Sequence, residues 1–491
     1  MSQFSAPIPQ YARRPLTDRQ TRATTAQLLS LVVTLVLVAY VALVPIVPPL
    51  LEQGVLPLDM LFPLASLLLI FTISPRQWPT QVSLLVFLGV TCASVMQRVG
   101  TPYFSDCFLR YIRLVEIFGP FFLAMAALDW FKNYKWLSWM FYFSGGASVA
   151  AGIAFFFLGI NFRDEGQYGF IDGHYVRRAA GIFGDSSGYG HMITLWACYV
   201  LLSITFRARW VRFPGLLILS LCAVVPMALI YSGSRSAFVI MGLCTGFSMS
   251  MLAWRIITAK QWHITVGTVM IIVAMLLGAG VAGYFIATSG DVSVVLDRML
   301  DVVLMRQDAS SLSSGRFDNW DHHIQLFFQN PLLGVGYKSM STIWNEATDN
   351  VFLSVSVEMG TLGLASYVTL ISLIIAGLWK LRKVAPAEGN TMLALWGLQM
   401  THGMLVDINT FWGSMPVLMI LTGTVLAGVP VVRRVAAKRP ALMPPHLQFN
   451  RSTERPAMAM PAMATGALNE AGDEASPDLN DIDRPILGDR Q

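Results

Sequence analysis

Charge is scarce in this chain: only 13% of its 491 residues are Asp, Glu, Lys or Arg, whereas 55% are hydrophobic. A water-soluble domain needs a charged surface, so this balance excludes an ordinary soluble globular protein and points to a polytopic membrane protein. Cysteine is sparse too. Cys92, Cys107, Cys198, Cys222 and Cys244 fall mostly in apolar stretches without CxxC spacing, which argues against a disulfide framework or a zinc site. The net charge of +5 comes with no basic run interleaved with aromatics, so nucleic acid is not an expected partner. No P-loop, GxGxxG turn in a βαβ unit, HExxH helix or GxSxG elbow stands in a usable context, and neither a cofactor nor a metal is expected.

Long apolar runs are what the chain does have. A helix crossing the hydrocarbon takes roughly 20 apolar residues, and such stretches fall at 27–49, 56–74, 80–97, 112–129, 137–160, 184–206, 213–231, 237–254, 265–287, 351–379, 390–406 and 411–430. The expected fold class is therefore an all-α polytopic membrane protein of about 12 transmembrane helices, with a long, partly helical exterior loop between spans 9 and 10. The organisation that follows is a cytoplasmic segment 1–26, helices 1–9 over 27–287, the large loop 288–350, helices 10–12 over 351–430, and a disordered cytoplasmic tail 431–491. Arg13, Arg14, Arg19 and Arg22 precede a first apolar run too long for a signal peptide, so that span reads as a retained anchor.

With the N-terminus inside, every short interior loop is basic, as the positive-inside rule requires. Yet the exterior loops also carry cations, and these are arginines: Arg98, Arg110, Arg113, Arg163, Arg177, Arg178, Arg235, Arg298, Arg306 and Arg316, with Lys338 the one exterior lysine. Arginine binds phosphate and carboxylate oxygens in pairs, so the bias suggests an anionic ligand on that face; contact with lipid headgroups is the plainer alternative.

Four exterior segments could carry chemistry. In Arg177 to Gly190, two arginines precede a Gly-rich helix entry whose N–H groups favour an anion; equally, Asp185 or Ser186 is an N-cap and nothing more. His191 lies just inside that span. The turn Ser232-Gly-Ser-Arg-Ser236 delivers Arg235 to the membrane surface, as a phosphate clamp or as an ordinary interfacial arginine. Ser313 to Asn350 is the closing part of the longest polar interval, which runs from about Ser289 to Asn350. Ser314 can cap a helix ending before Pro331, on which Arg316, Trp320 and His323 share a face and His322 does not. Finally, Asp349 and Asn350 stand before the tenth span, which carries Glu358; Asp349 reads as an N-cap, a general base, or both.

The order RxxGxFxDxxxxG before a span, SxSRSA after one, and SGRxxxW, NPLLGVG and DNxFLxxxxExGxLG along the long loop resembles the O-antigen ligase and polymerase family of bacterial envelope glycosyltransferases. The matching segments run from about Arg178 to Gly363. The resemblance implies an inner-membrane enzyme with both termini cytoplasmic, acting at the periplasmic face on undecaprenyl-diphosphate-linked oligosaccharide without cofactor or metal. It implies Arg178, Arg235, Arg316 and Asp349 as the catalytic set, and Arg177, Asp185, Trp320, His323, Asn350 and Glu358 as substrate-binding residues. Membrane lipids are implied partners, with a chain-length regulator and a flippase among other polysaccharide assembly proteins. Ligases of the family resemble one another in a His-Asn pair, the histidine serving as base, where this chain has Asp349-Asn350. That departure favours a polymerase of surface polysaccharide or exopolysaccharide. A ligase transferring glycan to a lipid A core is the alternative, and a flippase of lipid-linked sugars is the alternative of another class, for which no convincing internal repeat is evident.

Overall fold

The computed structural model describes residues 18–46, 78–126, 130–160, 168–171, 174–258, 318–346, 348–383, 385–411 and 413–427. They form helices α1 (Asp18–Leu43), α2 (Trp78–Met96), α3 (Phe104–Phe118), α4 (Pro120–Ala126), α5 (Trp130–Leu158), α6 (Ser186–Thr205), α7 (Pro214–Ser232), α8 (Arg235–Thr258), α9 (Asp318–Gln329), α10 (Ser339–Ile343), α11 (Val351–Leu381), α12 (Pro386–Gly403) and α13 (Met415–Ala427). Five are long and apolar enough to cross a membrane, at Pro79–Met96, Tyr134–Leu158, Pro214–Ser232, Arg235–Arg255 and Val351–Leu381. Shorter apolar helices stand at Leu31–Leu43 and Met415–Ala427. The predicted spans 56–74 and 265–287 lie outside the described residues, as do Arg316 and the tail.

One expected span needs correction, and the helical fold carries one small addition. The helical class holds, with one addition in a loop: β1 (Tyr168–Ile171) and β2 (His174–Arg177) form an antiparallel hairpin, with Tyr168 opposite Arg177 and Ile171 opposite His174. Tyr168, Phe170, Ile171, Tyr175 and Val176 are aromatic or β-branched residues, which fit a pleated surface better than a helix. The span predicted at 112–129 is interrupted. Helix α3 starts earlier, at Phe104, and ends at Phe118; α4 then begins at Pro120, where a residue lacking an N–H suits the first helical position.

Helix α6 is the centre of the bundle and is buried along most of its length. It packs against α5, α7, α8 and α12. Buried indole and phenol groups on it find partners: Trp196 Nε1 donates to Tyr142 O at 2.9 Å, and Tyr199 Oη meets Ser138 Oγ at 2.6 Å. Helix α11 packs on α2 and α12. It is broken at Gly360, where φ is 67° and ψ is −166°.

That break shapes the outer loop. A continuous helix would bond Thr361 N to Val357 O and Leu362 N to Glu358 O. Here Thr361 N donates to Pro331 O at 2.7 Å and Leu362 N to Leu332 O at 3.2 Å, while Val335 N donates to Val357 O at 2.9 Å and Gly336 N to Glu358 O at 3.0 Å. All four displaced backbone groups thus regain partners from the segment Pro331–Gly336. The approach is so close that a Cβ at Gly334 would lie 2.4 Å from Glu358 C, and one at Gly360 2.3 Å from Leu332 C. The NPLLGVG and ExGxLG stretches are therefore the two halves of one backbone cradle.

Candidate functional site

The N-termini of α6, α8 and α11 all border the segment His402–Phe411: a Cβ at Gly188 would lie 3.7 Å from Phe411, His402 Nε2 is 3.2 Å from Ser236 Oγ, and a Cβ at Gly403 would lie 2.8 Å from Val351. Asp185 caps α6, accepting from Ser187 N at 2.9 Å and Gly188 N at 2.7 Å. Asn350 caps α11, accepting from Phe352 N at 2.9 Å and Leu353 N at 3.1 Å. Helix α8 opens on Arg235 itself. The N-terminal turns of α6 and α8 touch, since a Cβ at Gly190 would lie 2.6 Å from Ser234 Cβ. Helix N-termini carry partial positive charge, so this end of the fold favours an anion.

Arg178 closes the corner between these helices. Its Nε donates to Ser232 O at 2.9 Å and its Nη2 to Gly233 O at 3.0 Å, while Ala179 N donates to Tyr231 O at 2.7 Å. The guanidinium satisfies carbonyls at the C-terminus of α7, where Gly233 turns the chain left-handed with φ of 58°. Arg178 thereby fixes the turn that presents Arg235. Arg177, at the end of β2, lies over the Phe156 ring at 5.1 Å.

The segment from His402 to Ser414 joins this corner to the cradle, and sequence reasoning missed it. His402 Nε2 lies 3.2 Å from Ser236 Oγ, next to Arg235. His191 Nδ1 lies 2.5 Å from Ser414 Oγ and its Nε2 2.7 Å from Gln399 Oε1; the two imidazole centroids are 5.0 Å apart. These groups form a buried polar cluster without a carboxylate. One residue beyond His402, Gly403 packs so tightly that a Cβ would lie 2.8 Å from Val351 at the head of α11.

On the cradle side, Asp407 Oδ2 accepts from Lys338 Nζ at 2.6 Å and from Ser354 Oγ at 3.3 Å; Ser354 Oγ also lies 3.4 Å from Glu358 Oε2. Burial by itself would lower the Lys338 ammonium, but Asp407 and Glu358 outweigh it and hold its pKa above the usual lysine value. Glu358 is 1% exposed and belongs to this cluster rather than to an open pocket. The signal for Asp407 was available, as a carboxylate between two apolar runs, but its partner is 69 positions away.

The remaining predicted residues sort as follows. Asn350, not Asp349, caps α11; Asp349 is half-buried beside it. Trp320 and His323 lie on α9. His323 is buried, with Nε2 3.2 Å from Glu346 Oε2. Burial holds its pKa below the usual histidine value, against the opposing pull of Glu346. His322, expected to face elsewhere, also reaches Glu346, Nδ1 to Oε2 at 2.9 Å, because that acid lies across both side chains. Exterior arginines besides Arg178 also have structural partners, Arg113 donating through Nη1 to Glu116 Oε2 at 3.0 Å. Arg98 donates through Nε to Ser339 Oγ at 3.0 Å and through Nη2 to Val335 O, and Arg110 Nη1 reaches Ser341 Oγ at 3.4 Å. Among the described residues no cluster of metal-ligating side chains is found.

Comparison with curated proteins gives no match. The family model described as O-Antigen ligase matches residues 216–368, a stretch running from α7 through the outer loop into α11 that contains Arg235, Lys338, Asp349, Asn350 and Glu358; over that part, the chain is similar to the O-antigen ligase family.

Proposed function

We propose that this protein is a bacterial inner-membrane polymerase of surface polysaccharide or exopolysaccharide, with both termini cytoplasmic. It joins undecaprenyl-diphosphate-linked repeat units at the periplasmic face. The observation that carries the reading is the convergence of three helix N-termini with Arg178 and Arg235 at one end of the bundle, within and beside the stretch matched by the O-Antigen ligase family. A diphosphate is the anion such an end would hold.

In this reading the diphosphate of one lipid-linked unit lies against Arg235 and Arg316, with Arg178 fixing the Arg235 turn. A sugar hydroxyl of the next unit gives its proton to the Asp349 carboxylate, and its oxygen forms a bond to the anomeric carbon. The bond from that carbon to the diphosphate oxygen breaks, and the lipid diphosphate leaves with the electron pair, with inversion. The arginines stabilise the charge developing on the leaving oxygens. Arg177, Asp185, Trp320 and Asn350 shape the surrounding surface, while the buried His323 and Glu358 act behind it, in the packing of the outer loop.

The family description favours a second reading, in which the glycan goes to a lipid A core. One assay serves both. Membranes containing the protein are given lipid-linked repeat units, with or without a lipid A core acceptor, and products are sized. Chains longer than one repeat, lost in Arg235→Ala and Asp349→Ala with the protein still inserted, are expected. Transfer only to the core would replace polymerase by ligase; elongation undiminished in both variants would remove the proposed site.

A further inference from the structure

Helix α9 has two apolar surfaces, and the fold buries only one. The inner face packs Leu326, with Phe327 partly buried, against Val335, Met340 and Val357. On the flank, Ile324 and Phe328 are 41% and 72% exposed, and Leu332, in the turn after the helix, is 66% exposed. The side beyond, at Asp321, Gln325 and Gln329, is polar and exposed. At about 100° per residue, Phe327, Trp320, Ile324 and Phe328 follow one another round an apolar arc of roughly 100°, bounded by Asp321 beside Phe328 and by Gln325 and Gln329 beyond it.

The depth of this flank follows from α11. That helix has 31 residues, which at about 1.5 Å each span roughly 46 Å, well beyond the roughly 30 Å of hydrocarbon. One end is marked as interfacial by exposed Trp379 and Lys380, with Arg382 stacked 3.7 Å from the Trp379 ring centroid. About 20 residues back from Trp379, the other hydrocarbon boundary falls near Gly360. There Leu362 N bonds to Leu332 O. The exposed stripe of α9 therefore starts at the membrane boundary and continues the outward face of α11, where Leu362, Val368, Ile375 and Trp379 are exposed.

We infer that α9 is an interfacial helix whose Ile324 and Phe328 flank, together with Leu332 in the turn that follows it, inserts among the acyl chains of the leaflet nearest Gly360, with Asp321 at the edge of the inserted arc and Gln325 and Gln329 facing water. The occupant of the stripe is lipid hydrocarbon. Two observations select it: continuity with the lipid-facing surface of α11, and a depth set by helix rise. The first three turns of α11, with Ser354 and Glu358, then stand above the hydrocarbon, which explains how a carboxylate is kept within a helix otherwise long enough to span.

The test uses the full chain in phosphatidylcholine nanodiscs, with the native cysteines replaced and an NBD fluorophore on Phe328→Cys, Ile324→Cys or Gln325→Cys. Doxyl-labelled phosphatidylcholine and aqueous iodide serve as quenchers. Labels at 328 and 324 are expected to be quenched by doxyl lipid several-fold more than the label at 325, with the order reversed for iodide. Iodide quenching at 328 and 324 equal to that at 325 would put the stripe in water, and protection from both quenchers would put it under protein; either overturns the inference. Positions 328 and 324 are exposed and read independently, so misfolding of one variant leaves the other decisive.

Discussion

The cradle around Gly360 and the corner around Arg178 lie at the same end of the molecule and are both rich in glycine, yet they are held in opposite ways. In the cradle, backbone bonds backbone: Pro331–Gly336 supplies partners for the broken turn of α11, and a charged pair, Lys338 with Asp407, fastens it. In the corner, an arginine side chain bonds carbonyls and the groups beside it are two imidazoles with hydroxyls and an amide. The difference separates structural motif residues from chemical ones. Damage to the cradle should be read as loss of fold, and damage to the corner as loss of turnover.

The largest effect is expected at Gly360. Its φ of 67° with ψ of −166° is open essentially to glycine alone, and a Cβ would lie 2.3 Å from Leu332 backbone atoms. Gly360→Ala should destabilise by about 4 kcal/mol or more and leave little folded protein. Gly397→Ala is the contrast, an exposed helical position where a Cβ meets nothing within 4 Å. It should stabilise by about 0.5–1 kcal/mol. Fluorescence-detected thermal unfolding in detergent measures both, and equal stability of the two variants would break the idea that the cradle is a backbone fit.

Lys338 comes next. Lys338→Met leaves the Asp407 carboxylate buried without its cation, a loss of about 3–5 kcal/mol. The pair Lys338→Met with Asp407→Asn should recover most of it, because removing both charges removes the unpaired one. Gln399→Leu in the imidazole cluster should be milder, about 1–3 kcal/mol for the hydrogen bond lost at His191. If Gln399→Leu proved as damaging as Lys338→Met, the distinction between a charged cradle and an imidazole corner would have no energetic content.

Arg178→Lys sharpens the corner. Lysine keeps the charge but cannot offer two donors in a fixed fork to Ser232 O and Gly233 O. A stability loss of about 1–2 kcal/mol is expected, with a larger proportional fall in chain elongation, since the Arg235 turn would no longer be fixed. Turnover and thermal midpoint measured on the same preparation give the comparison; a fall in stability with full turnover would make Arg178 a structural cap only.

What was legible beforehand follows the range of the interactions. Long apolar helices such as α7, α8 and α11 show themselves by composition along the chain, and the end of α9 was visible in Pro331. The hairpin at Tyr168 was overlooked because its four-residue strands sit in a polar loop. The fastening of Lys338 by Asp407, and of Ser236 by His402, depends on residues 69 and 166 positions apart, and no local pattern encodes either. The glycines of NPLLGVG looked like an ordinary turn; only the broken helix shows why Gly334 faces backbone, while Gly336 faces the Ser339 and Arg98 side chains.

The finest distinction lies between Asp349 and Asn350, adjacent residues with equal capping chemistry. Both side chains accept hydrogen bonds, so composition could not choose between them. The backbone does: Asn350 has φ of −141° and ψ of 120°, the extended geometry of a cap, and its Oδ1 receives two N–H groups. Asn350→Ala should therefore lower stability by about 1 kcal/mol with a modest change in elongation. Asp349→Asn keeps the size and hydrogen-bonding capacity but not the basicity, and it should leave the thermal midpoint within about 0.5 kcal/mol of the parent while stopping elongation. A base that must be ionised also gives a rate that falls with acidification through its own pKa and is flat above it. That limb should vanish from any residual Asp349→Asn activity and persist in Asn350→Ala. If the two variants exchanged these behaviours, the cap and the base would have to be reassigned to each other's positions.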